Sequence, residues 1–425
     1  MKKKPPVLQP EAFFTVIMLT FVSKIKVGIM NYILFDESIV RTNLLPLTFM
    51  RPVADIRVGI LTIREKWEKY LNVKTSSLTE GYLSKKYPLV KEEQNILING
   101  SICPDAPMVK AIKNLRHDQT LVFNDHIVAL HISDKDLDSL GESSSEGIEE
   151  IVIKEAPLKI NYTWDIFSKN DLAIRNDFNL VTKGRKSQPI SKSNMIIGEG
   201  EIFLEEGAIV EGVTLNATKG PIYIGKDAIV MEGAMLRGPI AVGEKAQIKM
   251  GAKIYGPSTF GPQCRIGGEV NTSVFFGYGN KAHDGFIGHS VIAEWCNLGA
   301  DTNTSNLKNT YDEVRLWSYG KKTFINTHLQ FCGLIMGDYS MSGINTMFNT
   351  GTVVGVNANI FGTGFPRNFI PSFTWGSTAG HTNYKLDKAL EVAEAVYKRR
   401  DRVFDETERD LLQSIFNITL KNRRM

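Results

Sequence analysis

The chain has 425 residues, too many for one compact core and enough for two or three folded units. Hydrophobic residues make up 43% and charged residues 23%, a balance that excludes disorder, a collagen-like chain and a disulfide scaffold. Against 50 basic side chains stand 46 acidic ones, and no long basic block occurs, so nothing in the charge pattern provides a footprint for nucleic acid.

Residues 1–29 start with three lysines and carry an apolar run from Phe13 to Val22, which is too short for a bilayer span of about 20 residues. No small-residue cleavage site follows, Met30 opens a strand-like NYILF, and Met30 is expected to be the natural start. The expected protein is cytoplasmic, without a membrane segment. Cys103, Cys264, Cys296 and Cys332 stand far apart with no C-x-x-C pair, which predicts reduced, buried thiols and neither a zinc site nor a redox pair.

Residues 30–190 read as a mixed α/β unit. NYILF, NILING and TLVFNDHIVALHI have the composition of strands, while IREKWEKYL and APMVKAIKNL space their apolar residues as helices do. The acidic, apolar-poor stretch 133–150 reads as a solvated loop.

From there the pattern changes. Ile224, Val230, Leu236, Val242, Ile248, Ile254, Phe260 and Ile266 recur every six residues, and small residues such as Ala228, Ala234, Ala246, Ala252, Ser258 and Cys264 follow most of them four positions later. A period of six fits neither a helix nor an alternating strand, but it fits a three-faced solenoid in which large residues fill the prism and small ones its corners. The expected solenoid covers 195–378. Its period weakens over 272–291 and 303–328, which predicts two loops leaving the coil, and returns at Met336, Ser342, Phe348, Val354 and Ile360. Residues 383–425 read as helices, with Leu386, Leu390, Ala393 and Tyr397 on one stripe and Asp405 with Glu408 opening a second helix.

A hexad solenoid behind an α/β unit resembles the bifunctional N-acetylglucosamine-1-phosphate uridyltransferase/glucosamine-1-phosphate N-acetyltransferase family, in a divergent bacterial branch. The stretches carrying the resemblance are FGYGNKAHDGFIGHSVIAEWCNLGADTNTSN, LLPLTFMRPVADIRVGILT, GINTMFNTGTVVG and the FTWG segment. The resemblance implies a Rossmann-like nucleotidyltransferase domain, then a left-handed parallel β-helix of hexapeptide repeats with a C-terminal helical tail, assembled as a homotrimer with sites between subunits. It also implies acetyl-CoA as co-substrate, an amino-sugar phosphate and a nucleoside triphosphate as substrates, and Mg2+ for nucleotidyl transfer.

Carried over by position, His283 falls on the family's catalytic base, and Asn297 and Asn306 on sugar-contacting asparagines. Histidine suits the step, because a protonated amine must lose its proton before attacking a thioester and the base needs a pKa near neutrality. Thr327 and Asn349 lie near acetyl-CoA-contacting positions, and Arg367 is expected to reach phosphates of coenzyme A. The family's phosphate-binding lysine has no match, since Asn271 and Thr272 occupy that region, which leaves Lys253 and Lys281 as alternatives for a sugar phosphate; Phe286 replaces a tyrosine.

In the first unit Pro46, Leu47 and Thr48 keep the family's spacing and Arg51–Pro52 replaces lysine–proline, but no glycine lies between Asp36 and Thr48, so the backbone lacks the freedom to cradle a pyrophosphate. Arg41 and Arg51 are the basic residues expected at substrate. Asn99–Gly100 occupies the family's metal-aspartate position, with Asp105 as the substitute ligand. Three functions stay open: a bifunctional enzyme, an acetyltransferase with a non-catalytic sugar-nucleotide-binding first domain, and a trimeric sugar-nucleotide-binding scaffold.

Overall fold

A computed structural model describes residues 30–424 apart from 135–136, 138–148, 199 and 378–379. The N-terminal extension and most of the acidic stretch at 133–150 fall outside the described residues. Where that stretch ends, Glu149 and Glu150 open a strand instead of closing a loop.

In the α/β unit, β1 (Asn31–Phe35), β2 (Ser76–Leu78), β3 (Gln94–Asn99), β4 (Gln119–Phe123), β5 (His126–Ser133) and β6 (Glu149–Val152) form one mixed sheet in the order β2-β1-β3-β5-β4-β6. Strands β2, β1 and β3 run parallel, and β5 returns antiparallel between β3 and β4. The β4–β5 turn is Asn124–Asp125, both at positive φ, a conformation these residue types tolerate in hairpins. Helix α1 is Ser38–Asn43, and α2 is Ile63–Leu71, opened by a reciprocal capping box between Thr62 and Glu65. Helix α3 (Ala106–Lys113) and α4 (Asn170–Thr182) complete the unit.

The solenoid is a left-handed parallel β-helix of about 10 turns. Every inward hexad residue from Ile224 to Ile266 is 1% exposed or less, and the corner residues Ala228, Ala234, Ala246, Ala252, Ser258 and Cys264 are fully buried. Burying an aliphatic side chain is worth roughly 1.5–3 kcal/mol, so this stack dominates the stability of the coil.

The two weak points of the period differ in kind. Over 303–328 the chain does leave the coil, as an antiparallel hairpin of Arg315–Ser318 with Thr323–Asn326. Over 272–291 no loop leaves: Val274–Phe275, Asn280–Lys281 and Phe286–Gly288 continue all three faces. The period slips there because the coil shortens, pairing Phe260 with Phe275 and Ile266 with Lys281, whereas Val230 pairs with Ile248 in the regular part.

One apolar core runs from the α/β sheet into the solenoid, joining Tyr32, Trp67 and Ile98 to Val274, Phe276, Val291 and Ile335. Asn170 at the start of α4 reinforces the seam: it accepts from the Gly59 amide at 2.7 Å and donates to the Pro257 carbonyl at 2.9 Å. Helix α5 (Leu386–Lys398) lays Leu390, Ala393 and Tyr397 on Trp295, Tyr339 and Phe373 of the solenoid. Asp405 caps α6 (Glu406–Ile418) by accepting from the Glu408 amide at 3.0 Å.

Candidate functional site

His283 stands on an exposed turn between the strands Asn280–Lys281 and Phe286–Gly288. Neighbouring coils clamp the turn. A Cβ on Gly285, whose φ is +114°, would meet the Thr302 carbonyl oxygen at 2.3 Å, and one on Gly268 would meet that of His283 at 3.0 Å, so both positions need glycine. The Asp301 amide donates to the Asp284 carbonyl at 3.0 Å. Held by its backbone, His283 keeps an imidazole without a hydrogen bond or ion pair among the described residues.

Beneath it lies Lys281, in the inward column between Ile266 and Leu298 and 1% exposed. Its Nζ donates to the His283 carbonyl at 2.6 Å. Burial pushes the ammonium pKa down to about 8, against the pull of Asp284 and Asp301. A lysine there anchors the turn and is not turned toward an external phosphate.

Asn306 is drawn to a different histidine. Its Nδ2 donates to His289 Nδ1 at 2.9 Å, and the room for that contact comes from Gly288, where a Cβ would sit 2.4 Å from the same nitrogen. The His289 ring stacks on Phe331 at 5.2 Å and meets Phe167 of the α/β unit edge-on at 5.8 Å. Burial pushes its pKa down to about 4, so this ring is neutral at physiological pH and a weak base.

The remaining solenoid positions are spread over the coil. Asn297 accepts from the Asn280 amide at 2.7 Å on the face beneath α5. Exposed Lys253 stands 3.7 Å from Glu269 on another face. Arg367 is exposed beside Phe365 and His381, on a cavity of about 160 Å³. Lys253, Asn297 and Arg367 therefore line three separate cavities. Thr327 is buried and closes the hairpin, donating to the Val314 carbonyl at 2.8 Å and accepting from the Leu329 amide at 3.1 Å. Asn349 is half-buried, and its carbonyl accepts from the Thr352 hydroxyl at 2.8 Å.

In the α/β unit both expected substrate arginines turn inward. Arg41 pairs with Asp36 at 2.8 Å and donates to the Thr48 and Arg51 carbonyls and to the Tyr82 hydroxyl. Arg51 grips Asp338 and Glu294 of the solenoid. Asp105 caps α3, accepting from the Met108 amide at 2.8 Å. Among the described residues no group of three or more His, Cys, Asp or Glu is placed to hold a metal, so Asp105 does not fit as part of a magnesium cluster.

What stands at the carboxyl ends of β1 and β3, where open α/β sheets bind ligands, is Glu37. It accepts from Lys159 at 2.7 Å and from Asn99 at 2.9 Å, with His126 3.8 Å away. Burial opposes ionisation, but the hydrogen bonds from Lys159 and Asn99 prevail and hold the carboxyl below its ordinary pKa. Asn99 thus faces Glu37 from the position where the family's metal aspartate is expected. Sequence reasoning missed Glu37 and Lys159, whose only signal was that Glu37 falls two residues after β1.

Residues 32–186 match the family model described as sugar nucleotidyl transferase. The bifunctional protein GlmU of Methanocaldococcus jannaschii is 27% identical over 251 residues, 57% of this chain and 47% of that protein. The bifunctional sugar-1-phosphate nucleotidylyltransferase/acetyltransferase of Sulfurisphaera tokodaii is 34% identical over 145 residues, 34% of this chain and 36% of that one. Each alignment thus spans less than half the length of the relative it matches. The solved polySia-specific acetyltransferase NeuO aligns over 46% of this chain and 87% of its own at 14% identity and a TM-score of 0.25, too low a likeness to carry weight. The chain thus joins a segment matching the sugar nucleotidyl transferase model to a parallel β-helix, and it is similar over part of its length to these two bifunctional proteins.

Proposed function

We propose that the β-helix transfers an acetyl group from acetyl-CoA to the amine of an amino-sugar phosphate, with His283 as general base, and that the product is UDP-N-acetylglucosamine or a related nucleotide sugar after nucleotidyl transfer. The observation that carries this reading is the His283 turn: a histidine fixed through its backbone, with its imidazole exposed and unengaged. The base accepts a proton from the sugar ammonium, the free amine attacks the thioester carbonyl, the C–S bond breaks as the amide forms, and the departing thiolate takes up the second amine proton to leave as the thiol. Because Lys253, Asn297 and Arg367 line separate cavities in one chain, the reading includes a homotrimer in which a neighbouring copy completes each site. Thiol release from acetyl-CoA, measured across a panel of amino-sugar phosphates, tests it. No thiol release with any of them would overturn it.

A specific observation favours a second reading of the α/β unit, as a module that binds a sugar nucleotide without reacting it. Arg41 and Arg51 are held inside the protein, Asp105 caps a helix, and Glu37 is neutralised by Lys159. Pyrophosphate release from UTP and N-acetylglucosamine-1-phosphate, with and without Mg2+, separates the two: release supports nucleotidyl transfer, and none alongside retained acetyl transfer supports the binding module.

A further inference from the structure

A groove of about 380 Å³ runs between α5 and the solenoid face that carries Arg265, Asn280 and Asn297. Arg265 enters it from the coil, and Arg399 and Arg400 enter from the end of α5. Lys249 stands one coil below Arg265 on the same face, beside Gln247, which pairs with Arg265 across the strands.

No carboxylate lines this groove. Two acids of α5 are committed elsewhere, Glu391 to Lys388 at 2.8 Å and Glu394 to Arg409 at 3.2 Å, and the third, Asp387, stands in its first turn, at the opposite end from Arg399 and Arg400. Glu294 and Glu244 of the coil are paired as well, with Arg51 at 3.1 Å and Lys245 at 3.2 Å. Among the described residues Arg265, Arg399 and Arg400 have no ion-pair partner. Arg265, Arg400 and Lys249 are each half-buried, so solvent screens them only in part. Burial first, then Arg265 and Arg399, holds the Arg400 guanidinium below its ordinary range; burial first, then Arg265 and Arg400, does the same for Lys249.

Three arginines from two elements line this walled groove without a counter-charge, with Lys249 close enough to feel two of them, and such a cluster costs stability unless an anion meets it. The guanidinium fork matches the oxygens of a phosphate, which can accept two parallel hydrogen bonds from one arginine. The aromatic wall offers little to a planar group: Trp295 is stacked between Tyr278 at 4.1 Å and Tyr397 at 4.0 Å, and Arg402 covers Tyr278. Recognition in this groove is therefore by charge and not by stacking.

We propose that the groove between α5 and the solenoid is a binding site for a ligand bearing two or more phosphate charges. The inference rests on the cation cluster and not on His283, although the groove is also lined by Asn297, a position on which the proposed acetyl transfer draws.

The test is isothermal titration calorimetry of the full chain with inorganic pyrophosphate at low ionic strength, and then with UTP, coenzyme A and dephospho-coenzyme A. Wild-type protein should bind pyrophosphate. Arg265→Gln and Arg400→Gln should each weaken binding about tenfold or more, with a melting temperature unchanged or raised because a repulsion is gone. Lys249→Gln, at the turn just after the strand Gln247–Ile248, should weaken it several-fold and stands in should either arginine variant not fold. Binding of UTP that the variants weaken identifies a nucleotide as the source, and binding of coenzyme A above dephospho-coenzyme A identifies its 3′-phosphate. Absence of binding at millimolar pyrophosphate, or equal affinity in wild type and the folded variants, overturns the site.

Discussion

Arg51 and Asp338, 287 residues apart, meet in a fully enclosed two-pronged ion pair at the seam between the α/β unit and the solenoid. Arg51 is 4% exposed and Asp338 0%, and the guanidinium lies 5.3 Å over the Phe276 ring. Taking both charges out of water is costly, and mutual attraction offsets it only while both partners are present. Arg51→Met leaves the buried Asp338 beside Glu294 without a counter-charge for either. A loss of about 3–5 kcal/mol is expected, read as a lower urea midpoint, with much of it recovered in the Arg51→Met/Asp338→Asn double variant. A single variant as stable as wild type would show that the pair does not hold the seam.

The His283 ring makes no contact that the fold needs, so His283→Ala should keep the wild-type melting temperature. Acetyl transfer should fall by about 10²–10⁴, the usual loss on removing a general base. Thiol release together with a thermal melt checks both halves. Near-normal transfer by a folded variant would remove His283 from the chemistry.

Lys281 offers a stability test with a definite sign. Its folded pKa of about 8 lies below the unfolded value of 10.5, so between these pH values the unfolded chain binds more protons. Wild-type stability should therefore rise with pH across that window. Lys281→Met should flatten the rise and, at pH 7, add about 1–3 kcal/mol once the hydrogen bond to the His283 carbonyl is discounted. Denaturant titrations at pH 7 and pH 10 compare the two proteins, and a methionine variant less stable at pH 7 contradicts the assignment.

Acid reveals His289. With its pKa pushed down from 6.5 to about 4, the folded ring refuses a proton that the unfolded chain accepts, so stability contributed by the neutral ring is lost as pH falls from 6.5 toward 4. Partial exposure limits this to about 1 kcal/mol. His289→Phe keeps the stacking on Phe331 but cannot titrate, and its melting temperature should fall less steeply than wild type over that range. Parallel slopes would show that His289 is not the group responsible.

The solenoid was legible because a repeat is a property of the chain itself: Ile224 to Ile266 mark the interior every six residues wherever the coil is placed in space. Helix α2 and the stripe from Leu386 to Tyr397 were legible for the same reason, their 3.6-residue period being local. Shortening of the coil near Phe275 was not, since a slipped period and a departing loop look alike until strands pair. Nor could residue type distinguish an arginine that meets substrate from Arg51, whose partner Asp338 is supplied only when two distant surfaces close on each other. The same holds for His283 and His289. Both are histidines of the same segment, and only packing against Phe167 and Phe331 lowers the pKa of one and leaves the other ring exposed. Periodicity is written along the chain, whereas burial and charge pairing depend on which remote segments exclude water from a side chain.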